Sequence, residues 1–303
     1  ADAMLVGGVC RPQSIYTQIG FSQLRALSPS GRCAPFDRGA DGLVVGEGAG
    51  VFLLKRLEDA EAHGDAILGV IRAVGLSNDV AGSLLSPESE GQLRAMRAAW
   101  ARAGWSTSAI DFVECHGTGT PRGDAVEIAS LRALLGDAAP AIGSVKANVG
   151  HTLTAAGAAA LCKVLVALRE GVLPPATNVE APIDAGPLRL LDAPLPWEAP
   201  AGRPRRAAVS AFGFGGINAH LLLEAYEAPG CAQVGGATRP RALAAPTDAD
   251  SPATMHVFAA SANAPPSARI ADAATDAPAT PRVTDAAIDA PANVRAADPA
   301  GHH

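Results

Sequence analysis

The sequence lacks any run of basic residues and any apolar stretch long enough to cross a membrane. Acidic side chains outnumber basic ones, 30 to 24, and the formal net charge is -6. Because nucleic-acid binding depends on clustered Lys and Arg, this balance argues against nucleic acid as the main partner. The most apolar stretch, residues 155–168, contains Lys163 and is too short for a bilayer. The first ten residues have neither the basic start nor the apolar core of a signal peptide.

Cysteine is sparse and shows no pairing pattern. The five cysteines are Cys10, Cys33, Cys115, Cys162 and Cys231, and no two of them form a Cys-x-x-Cys pair. An odd, dispersed set in a chain of 303 residues predicts reduced thiols and a cytoplasmic protein, not a disulfide framework. Zinc-ligand spacings such as His-x-x-x-His are absent as well, so the sequence predicts no metal site.

Aromatic residues are almost missing from the C-terminal quarter. Of the twelve Phe, Trp and Tyr residues, eleven lie before Glu227 and only Phe258 lies after it. Residues 231–300 contain 24 Ala, 9 Pro and one Leu. Such a composition buries too little apolar area to offset chain entropy, so we predict a disordered Ala/Pro-rich linker over residues 228–303. Within it, residues 255–260 are either one strand opening a following domain or a slightly apolar part of the linker.

The remaining residues, 1–227, alternate between strand-like and helix-like hydrophobic patterns. Predicted strands or strand-rich segments cover residues 3–9, 43–57, 67–76, 110–115, 141–145, 207–211 and 219–225, the first of them buried. Predicted helices cover residues 15–24, 91–103, 124–135 and 152–170. Alternation of this kind predicts an α/β fold built in layers.

A histidine stands at the end of one predicted strand, in His116-Gly-Thr-Gly-Thr-Pro-Arg-Gly-Asp124-Ala-Val-Glu127. α/β folds place their ligands at the carboxyl ends of strands, and the glycine-spaced Thr118 and Thr120 can donate to a polar ligand there. A phosphate-binding P-loop is excluded because no Gly-Lys-Ser/Thr follows. Taken alone, His116 also fits a satisfied core residue, and Asp124 and Glu127 have capping-box spacing at a helix start.

A lysine and a second histidine follow the next predicted strand, in Lys146-Ala-Asn148-Val-Gly-His151. His151 lies at the start of the predicted helix 152–170, where the helix dipole would lower its pKa and favour the neutral ring. A neutral imidazole can donate one hydrogen bond to a developing oxyanion. For Lys146 the competing interpretation is a surface lysine at a strand end.

The third motif, Phe212-Gly-Phe214-Gly-Gly-Ile-Asn218-Ala-His220, places two aromatic residues between glycines. This pattern predicts bulky side chains on a flexible hinge. It is not the Gly-x-Gly-x-x-Gly of a dinucleotide-binding turn, and no helix follows it. His220 falls in the alternating pattern of a strand, so we predict a structural role for it.

These motifs, in this order, resemble those of the ketosynthase (β-ketoacyl synthase) family of condensing enzymes. The similar segments are Val113-Glu-Cys-His-Gly-Thr-Gly-Thr-Pro-x-Gly-Asp, Lys146-Ala-Asn-Val-Gly-His151, Phe212-Gly-Phe-Gly-Gly-Ile-Asn218 and residues 28–54. The resemblance covers residues 1–227 and implies a thiolase-like layered αβαβα fold, incomplete here. Residues 1–62 would be the end of its N-terminal half and residues 63–227 its C-terminal half. The predicted linker fits a type I multidomain polyketide or fatty-acid synthase.

The family carries out a decarboxylative Claisen condensation between a malonyl thioester and an acyl thioester. The resemblance therefore implies an acyltransferase whose substrates ride on the phosphopantetheine of an acyl carrier protein, with no cofactor bound directly. It also implies that the chain belongs to a larger synthase, in a family that is usually homodimeric.

Roles for individual residues follow from the same resemblance. The enolate-stabilising donors would be His116 and His151, with Lys146 orienting the site electrostatically. Thr118 and Thr120 would bind the pantetheine arm. Phe214, with Phe212 beside it, would gate the access of the malonyl group. The residues expected to support them are Asp124, Glu127, Asn148 and Asn218.

Two features depart from the family pattern. The family's nucleophile is a cysteine in a Cys-Ser-rich elbow ahead of the strand that residues 3–9 resemble, and none of the five cysteines has that context. We therefore expect this chain to lack the nucleophile and to be inactive alone. Many relatives also carry a glutamate two or nine residues after the second histidine, where this sequence has Leu153 and Ala160. Lys146 would then pair with Glu127 or with nothing.

Two hypotheses of different kinds follow from these departures. In the first, the chain is part of a ketosynthase that condenses malonyl and acyl thioesters. In the second, it is a non-catalytic remnant that binds a carrier protein or malonyl groups. An unrelated α/β hydrolase or metal enzyme is a remote third, because three ordered motifs would have to coincide.

Overall fold

The computed structural model describes residues 2–11, 15–80 and 87–227. The strands are β1 (Ala3–Cys10), β2 (Gly48–Lys55), β3 (Val70–Asn78), β4 (Phe112–Glu114), β5 (Ala141–Gly143), β6 (Val172–Leu173), β7 (Arg189–Leu190), β8 (Leu195–Pro196), β9 (Arg206–Gly213) and β10 (Ile217–Glu224). The helices are α1 (Ile15–Gln23), α2 (Leu57–His63), α3 (Ser89–Ala103), α4 (Pro121–Leu135), α5 (Lys146–Val149) and α6 (Ala156–Glu170). The predicted linker, with residues 255–260, lies outside the described residues.

A six-stranded mixed sheet carries the centre of the fold, in the order β3-β10-β9-β4-β5-β7. β9, β4, β5 and β7 run parallel, whereas β10 pairs antiparallel with both β3 and β9. β4 and β5 are short, fully buried strands, as expected for the middle of a parallel sheet. Their last residues, Glu114 and Gly143, pair with each other. The chain segments that follow β4 and β5 therefore emerge side by side at one edge of the sheet.

Helices cover both faces of this sheet. On one face α3 and α4 contribute Met96, Trp100 and Leu131 to a buried cluster that includes Val113 of β4. On the other face α6 packs Val164 and other side chains against Phe112 of the same strand. Because successive residues of a strand point to opposite faces, Phe112 and Val113 enter different cores. The layered α/β architecture predicted from the sequence is thus present.

Several predicted elements differ from the structure at their ends. α4 begins at Pro121, three residues ahead of the predicted start, because proline suits the first turn of a helix. The predicted helix 152–170 is interrupted: a 3₁₀ turn over Leu153–Ala155 precedes α6. The predicted strand 141–145 ends at Gly143, since the next residues turn into α5.

The prediction of a buried strand over residues 3–9 is wrong for the described residues. Among the residues that the structure describes, β1 pairs only with β2, in a two-stranded antiparallel ribbon. Met4, Leu5 and Val9 are more than half exposed, at 56%, 67% and 71%. The apolar pattern alone does not reveal how many layers cover a strand, which is why the sequence suggested burial. Within the described part of the chain, no helix combines the length and apolar character needed to cross a membrane.

His220 of β10 makes the folded chain sensitive to acid. The side chain is fully buried, stacks on Trp100 with 5.1 Å between ring centroids, and contacts Ser210 Oγ through Nδ1 at 3.1 Å. Burial lowers its pKa from 6.5 to about 3. The unfolded chain takes up a proton below pH 6.5 while the folded chain does not, so stability is lost as the pH falls from 6.5 toward 3.

We expect His220→Phe, which keeps the stack and removes the titration, to make the chain less sensitive to acid. Between pH 7.5 and pH 5 its free energy of unfolding should improve relative to the original chain by about 2 kcal/mol. Denaturant unfolding at the two pH values measures the difference. His63→Phe at the exposed end of α2 is the control and should show no such change. Equal pH dependence of the His220→Phe variant and the original chain would contradict the assignment.

Candidate active site

His116 lies two residues after the end of β4, and the loop that begins with it is held by a buried carboxylate. Glu127 of α4 accepts the backbone N–H groups of His116 (2.7 Å) and Gly117 (2.8 Å), one on each carboxylate oxygen. Gly117 has a positive φ, and a Cβ there would lie 2.8 Å from the Cβ of Ser144. Only glycine lets the loop pass this close to the neighbouring segment, so the glycine of the motif positions the histidine.

The capping-box interpretation of Asp124 and Glu127 is wrong. The N-cap of α4 is Thr120, whose side chain makes no capping bond. Asp124 instead accepts the backbone N–H groups of Thr118 (3.1 Å), Gly119 (3.3 Å) and Phe36 (2.9 Å). Burial raises the pKa of Asp124 to about 6 and that of Glu127 to about 7, outweighing the backbone donors. The two carboxylates therefore support the histidine loop, not the helix end.

Lys146 is buried, so the surface-lysine interpretation is wrong. It lies at the start of α5 and is 1% exposed. Burial lowers its pKa, and the negative charges of Glu114 first and Glu127 second act against that shift. Sequence reasoning considered Glu127 as the partner and missed Glu114, the last residue of β4. The signal was available, because a glutamate inside a fully apolar strand pattern needs a charged or hydrogen-bonding partner.

His151 is held in one orientation by its own loop. The backbone N–H of Leu153 donates to its Nδ1 at 3.0 Å, and its backbone N–H donates to the Val44 carbonyl at 2.7 Å. Its pKa is lowered to about 3, first by burial and then by the charge of Lys146. Burial and the charge of Lys146 therefore favour the neutral ring that the sequence predicts. A 3₁₀ turn over Leu153–Ala155, whose first N–H donates to Nδ1, lies between His151 and α6, which begins at Ala156.

The two histidines meet at the sheet edge. The ring centroids of His116 and His151 are 5.4 Å apart with an interplanar angle of 81°, and Phe212 lies 5.8 Å from His116. Burial, followed by the charges of Lys146 and His151, holds the pKa of His116 well below 6.5. The site therefore brings together two imidazoles whose pKa values are lowered by burial and by the charge of a buried lysine.

The remaining predicted residues divide between this site and other places. Thr118 and Thr120 hydrogen-bond to each other through their hydroxyls at 2.9 Å, close after His116 in the loop. Phe212 is buried in β9, whereas Phe214 at the tip of the β9–β10 turn is 45% exposed. Phe214 contacts Phe21 of α1, with 5.4 Å between centroids, a partner that sequence reasoning did not find.

The two asparagines lie in different surroundings. Asn148 is exposed on α5 and donates to the Thr177 hydroxyl at 3.3 Å. Asn218 is buried at the start of β10 and donates to Asp79 at 2.7 Å and to the Gly216 carbonyl at 3.0 Å. Asn218 thus braces the turn that carries Phe214, while Asn148 connects surface loops.

The three buried thiols, those of Cys33, Cys115 and Cys162, do not resemble activated nucleophiles. Burial raises the pKa of Cys33 and Cys162 to about 11 each and that of Cys115 well above its ordinary value of 9.0. Cys10 is half-buried at the end of β1, and Cys231 lies outside the described residues. In the described ranges, no group of three or more His, Cys, Asp or Glu side chains is arranged to hold a metal ion.

Comparison with known proteins identifies the family. The model for the β-ketoacyl synthase N-terminal domain matches residues 1–60, and that for the C-terminal domain matches residues 68–180. A third model, the ketoacyl-synthetase C-terminal extension, matches residues 175–282. The fold is the thiolase-like layered α/β fold of ketosynthases. The chain belongs to the β-ketoacyl synthase family.

Individual relatives come from large synthases. The chain is 44% identical over 216 residues to a phenolphthiocerol/phthiocerol polyketide synthase of Mycobacterium tuberculosis, covering 68% of this chain and 12% of that protein. It is 40% identical over 230 residues to a polyunsaturated fatty acid synthase of Thraustochytrium sp., covering 75% and 11%. The ketosynthase from module 6 of the Bacillus subtilis bacillaene synthase matches with a TM-score of 0.72 and 39% identity, covering 75% and 43%. The chain therefore spans about a tenth of these curated relatives and less than half of this solved ketosynthase.

Proposed function

We propose that residues 2–227 form the enolate-stabilising part of a ketosynthase active site in a polyketide or fatty-acid synthase. In the reaction, the carbon–carbon bond to the malonyl carboxylate breaks and releases CO2. Its electron pair forms an enolate whose oxygen carries the negative charge. The enolate carbon then attacks the acyl thioester and expels a cysteine thiolate. The step that this chain serves is stabilisation of the enolate oxygen.

The observation that carries the proposal is the state of His151. Because Nδ1 accepts the Leu153 N–H at 3.0 Å, the neutral ring bears its proton on Nε2. A fixed N–H donor in a buried site stabilises a developing oxyanion without reorganisation. The ring centroid of His116 lies 5.4 Å from that of His151. The His116 ring is also neutral, because its pKa is well below 6.5, and it would be a second hydrogen-bond donor to the same oxygen. Burial first, and the charge of Lys146 second, lower the pKa of each histidine, so Lys146 helps to keep both rings neutral.

Substrate handling is proposed for the residues around the histidines. The hydroxyl pair Thr118 and Thr120 has the donors to bind a pantetheine arm delivered by an acyl carrier protein. Phe214 is exposed on a turn with two positive-φ glycines, Gly215 and Gly216, which suits a side chain that moves to admit the malonyl group. Contact with Phe21 would stabilise Phe214 in the position that it has in this structure. No cofactor is required by this chemistry.

The nucleophilic cysteine, in this proposal, is not among the cysteines of the chain. We expect incubation with an acyl-thioester donor to leave all five thiols unmodified. The three buried ones have raised pKa values, and none of the five stands in a Cys-Ser-rich elbow. Intact-mass analysis of the purified chain measures this, with a small alkylating reagent after denaturation as the control that the thiols are free. Stoichiometric acylation of any one cysteine would overturn this part of the proposal.

A further inference from the structure

The helix α5 ends abruptly between two residues of the candidate site. It is a single turn from Lys146 to Val149, and His151 follows shortly after it. In a continuing α-helix the N–H group of His151 would donate to the Ala147 carbonyl, four residues back. That N–H group donates instead to the Val44 carbonyl, at 2.7 Å. The end of the helix therefore leaves the Ala147 carbonyl in need of another donor.

The side chain of Asn178 supplies that donor. Its Nδ2 donates to the Ala147 carbonyl at 2.9 Å and to the Cys33 carbonyl at 2.8 Å. Both partners are carbonyl oxygens, which only accept hydrogen bonds, so the amide nitrogen and not the amide oxygen faces them. One amide group therefore uses both of its N–H bonds, and it joins the end of α5 to the chain segment that contains Cys33.

The backbone around Asn178 is fixed as well. Its φ is 62°, in the left-handed region, where asparagine is enriched several-fold among residues other than glycine. Just after it, the backbone N–H groups of Glu180 and Ala181 donate to the Asp37 carboxylate at 2.6 Å and 2.7 Å. The Asn178 amide is therefore presented to its two partners from an anchored turn.

The segment that Asn178 holds at Cys33 also contacts the loop of the first histidine. The Cys33 thiol donates to the Thr118 carbonyl at 3.6 Å. Three residues further on, the Phe36 N–H donates to the Asp124 carboxylate at 2.9 Å, and that carboxylate also accepts the Thr118 N–H at 3.1 Å. The first-histidine loop and α5 are therefore attached to the same short segment, and the attachment of α5 includes the Asn178 amide.

We infer that Asn178 is a positioning residue of this site. Its amide fixes the end of α5 and thereby the backbone between Lys146 and His151. The inference deepens the proposed function and rests on it, because the positioned groups are those proposed to serve the enolate. Sequence motifs do not reveal Asn178, since its partners Cys33 and Ala147 lie 145 and 31 residues away along the chain.

Hydrogen exchange of the full chain tests the inference without substrate. Asn178→Gly keeps the left-handed backbone and removes both donors. We expect the N–H groups of Gly150 and His151 to exchange about tenfold faster, because the turn opens more readily once both bonds are lost. Asn178→Asp keeps the size of the side chain but turns a carboxylate oxygen toward two carbonyls, so its effect should be at least as large. Mass spectrometry of peptides covering residues 144–152 measures the rates.

Two controls separate positioning from a general loss of stability. Asn78→Asp makes the same chemical change at an exposed position of β3 and should leave exchange over residues 144–152 as in the original chain. Peptides from α3 should exchange at the original rate in both Asn178 variants. A rise of the same size in α3, or unchanged exchange of Gly150 and His151, would overturn the inference.

Malonyl decarboxylation by the intact ketosynthase gives the second measurement, with His151→Ala as the reference. Both Asn178 variants should slow the reaction, because the backbone that carries His151 is less firmly held. If His151→Ala slows decarboxylation and the Asn178 variants do not, the inference fails while the proposed function stands. If none of these variants slows it, the proposed function fails, and the exchange rates alone decide whether Asn178 positions the turn.

Discussion

On the proposed function, replacing His151 by alanine is expected to slow malonyl decarboxylation by the intact ketosynthase about 100- to 1,000-fold, the usual effect of losing one oxyanion donor. His151 can donate a hydrogen bond because its proton is on Nε2. The proton is on Nε2 because Nδ1 accepts the Leu153 N–H. His151→Asn keeps an N–H donor and should retain more activity than His151→Ala. Release of CO2 from a labelled malonyl thioester measures the rate.

His63→Ala provides the control for His151, because His63 is exposed at the end of α2. Its decarboxylation rate should equal that of the original protein. The pH profile gives a further reading. Since the pKa of His151 is about 3, the rate should not fall through an ordinary histidine midpoint near pH 6.5 as the pH is lowered. A His151→Ala variant with an undiminished rate would contradict the role of the histidine as donor.

Gly46→Ala is expected to displace His151 without touching its side chain. A Cβ on Gly46 would lie 2.0 Å from the carbonyl oxygen of Val149, and the Gly46 N–H donates to the His151 carbonyl at 3.0 Å. The backbone before the histidine must therefore move. We expect the free energy of unfolding to fall by about 1–3 kcal/mol, the cost of overpacking, and decarboxylation to fall as in His151→Ala.

Gly157→Ala is the matched glycine control. Gly157 lies on α6, and a Cβ there meets no atom within 4 Å. Alanine at this helical position should leave activity unchanged and stabilise the chain by up to about 1 kcal/mol. Denaturant unfolding of the chain and decarboxylation by the synthase measure the two effects. If the Gly46→Ala variant is as stable and active as the Gly157→Ala variant, the backbone of Gly46 is not in tight contact with that of Val149.

The candidate site was predictable where it depends on local sequence. His116 and Lys146 each follow a predicted strand, and β4 and β5 are adjacent and parallel, so these segments meet at one edge. Asp124 and Glu127 were assigned to a helix cap because their spacing is local. Their true partners include Phe36, which is remote in the chain and comes near only after folding.

Burial was the property that the sequence predicted least well. An apolar pattern over residues 3–9 suggested a covered strand, but β1 is largely exposed in the described chain. Lys146 was equally compatible with the surface, yet it is 1% exposed. The hydrophobic pattern of a segment shows which face of the helix or strand is apolar. It does not show how many layers pack against that face, because that depends on the tertiary structure.

By itself, the sequence determined the family and the two histidines of the motifs, and it predicted the longer strands and helices around them, because motifs and periodicity are local; α2, α5 and the short strands β6, β7 and β8 were not predicted. The tertiary structure alone decided the chemical state of those residues. The neutral form of His151 arises from burial and from the charge of Lys146, and burial lowers the pKa of Lys146 against the opposing charges of Glu114 and Glu127. Protonation depends on solvent exclusion and on charges brought together from distant segments. Solvent exclusion and this arrangement of charges arise only when α6 packs against the sheet.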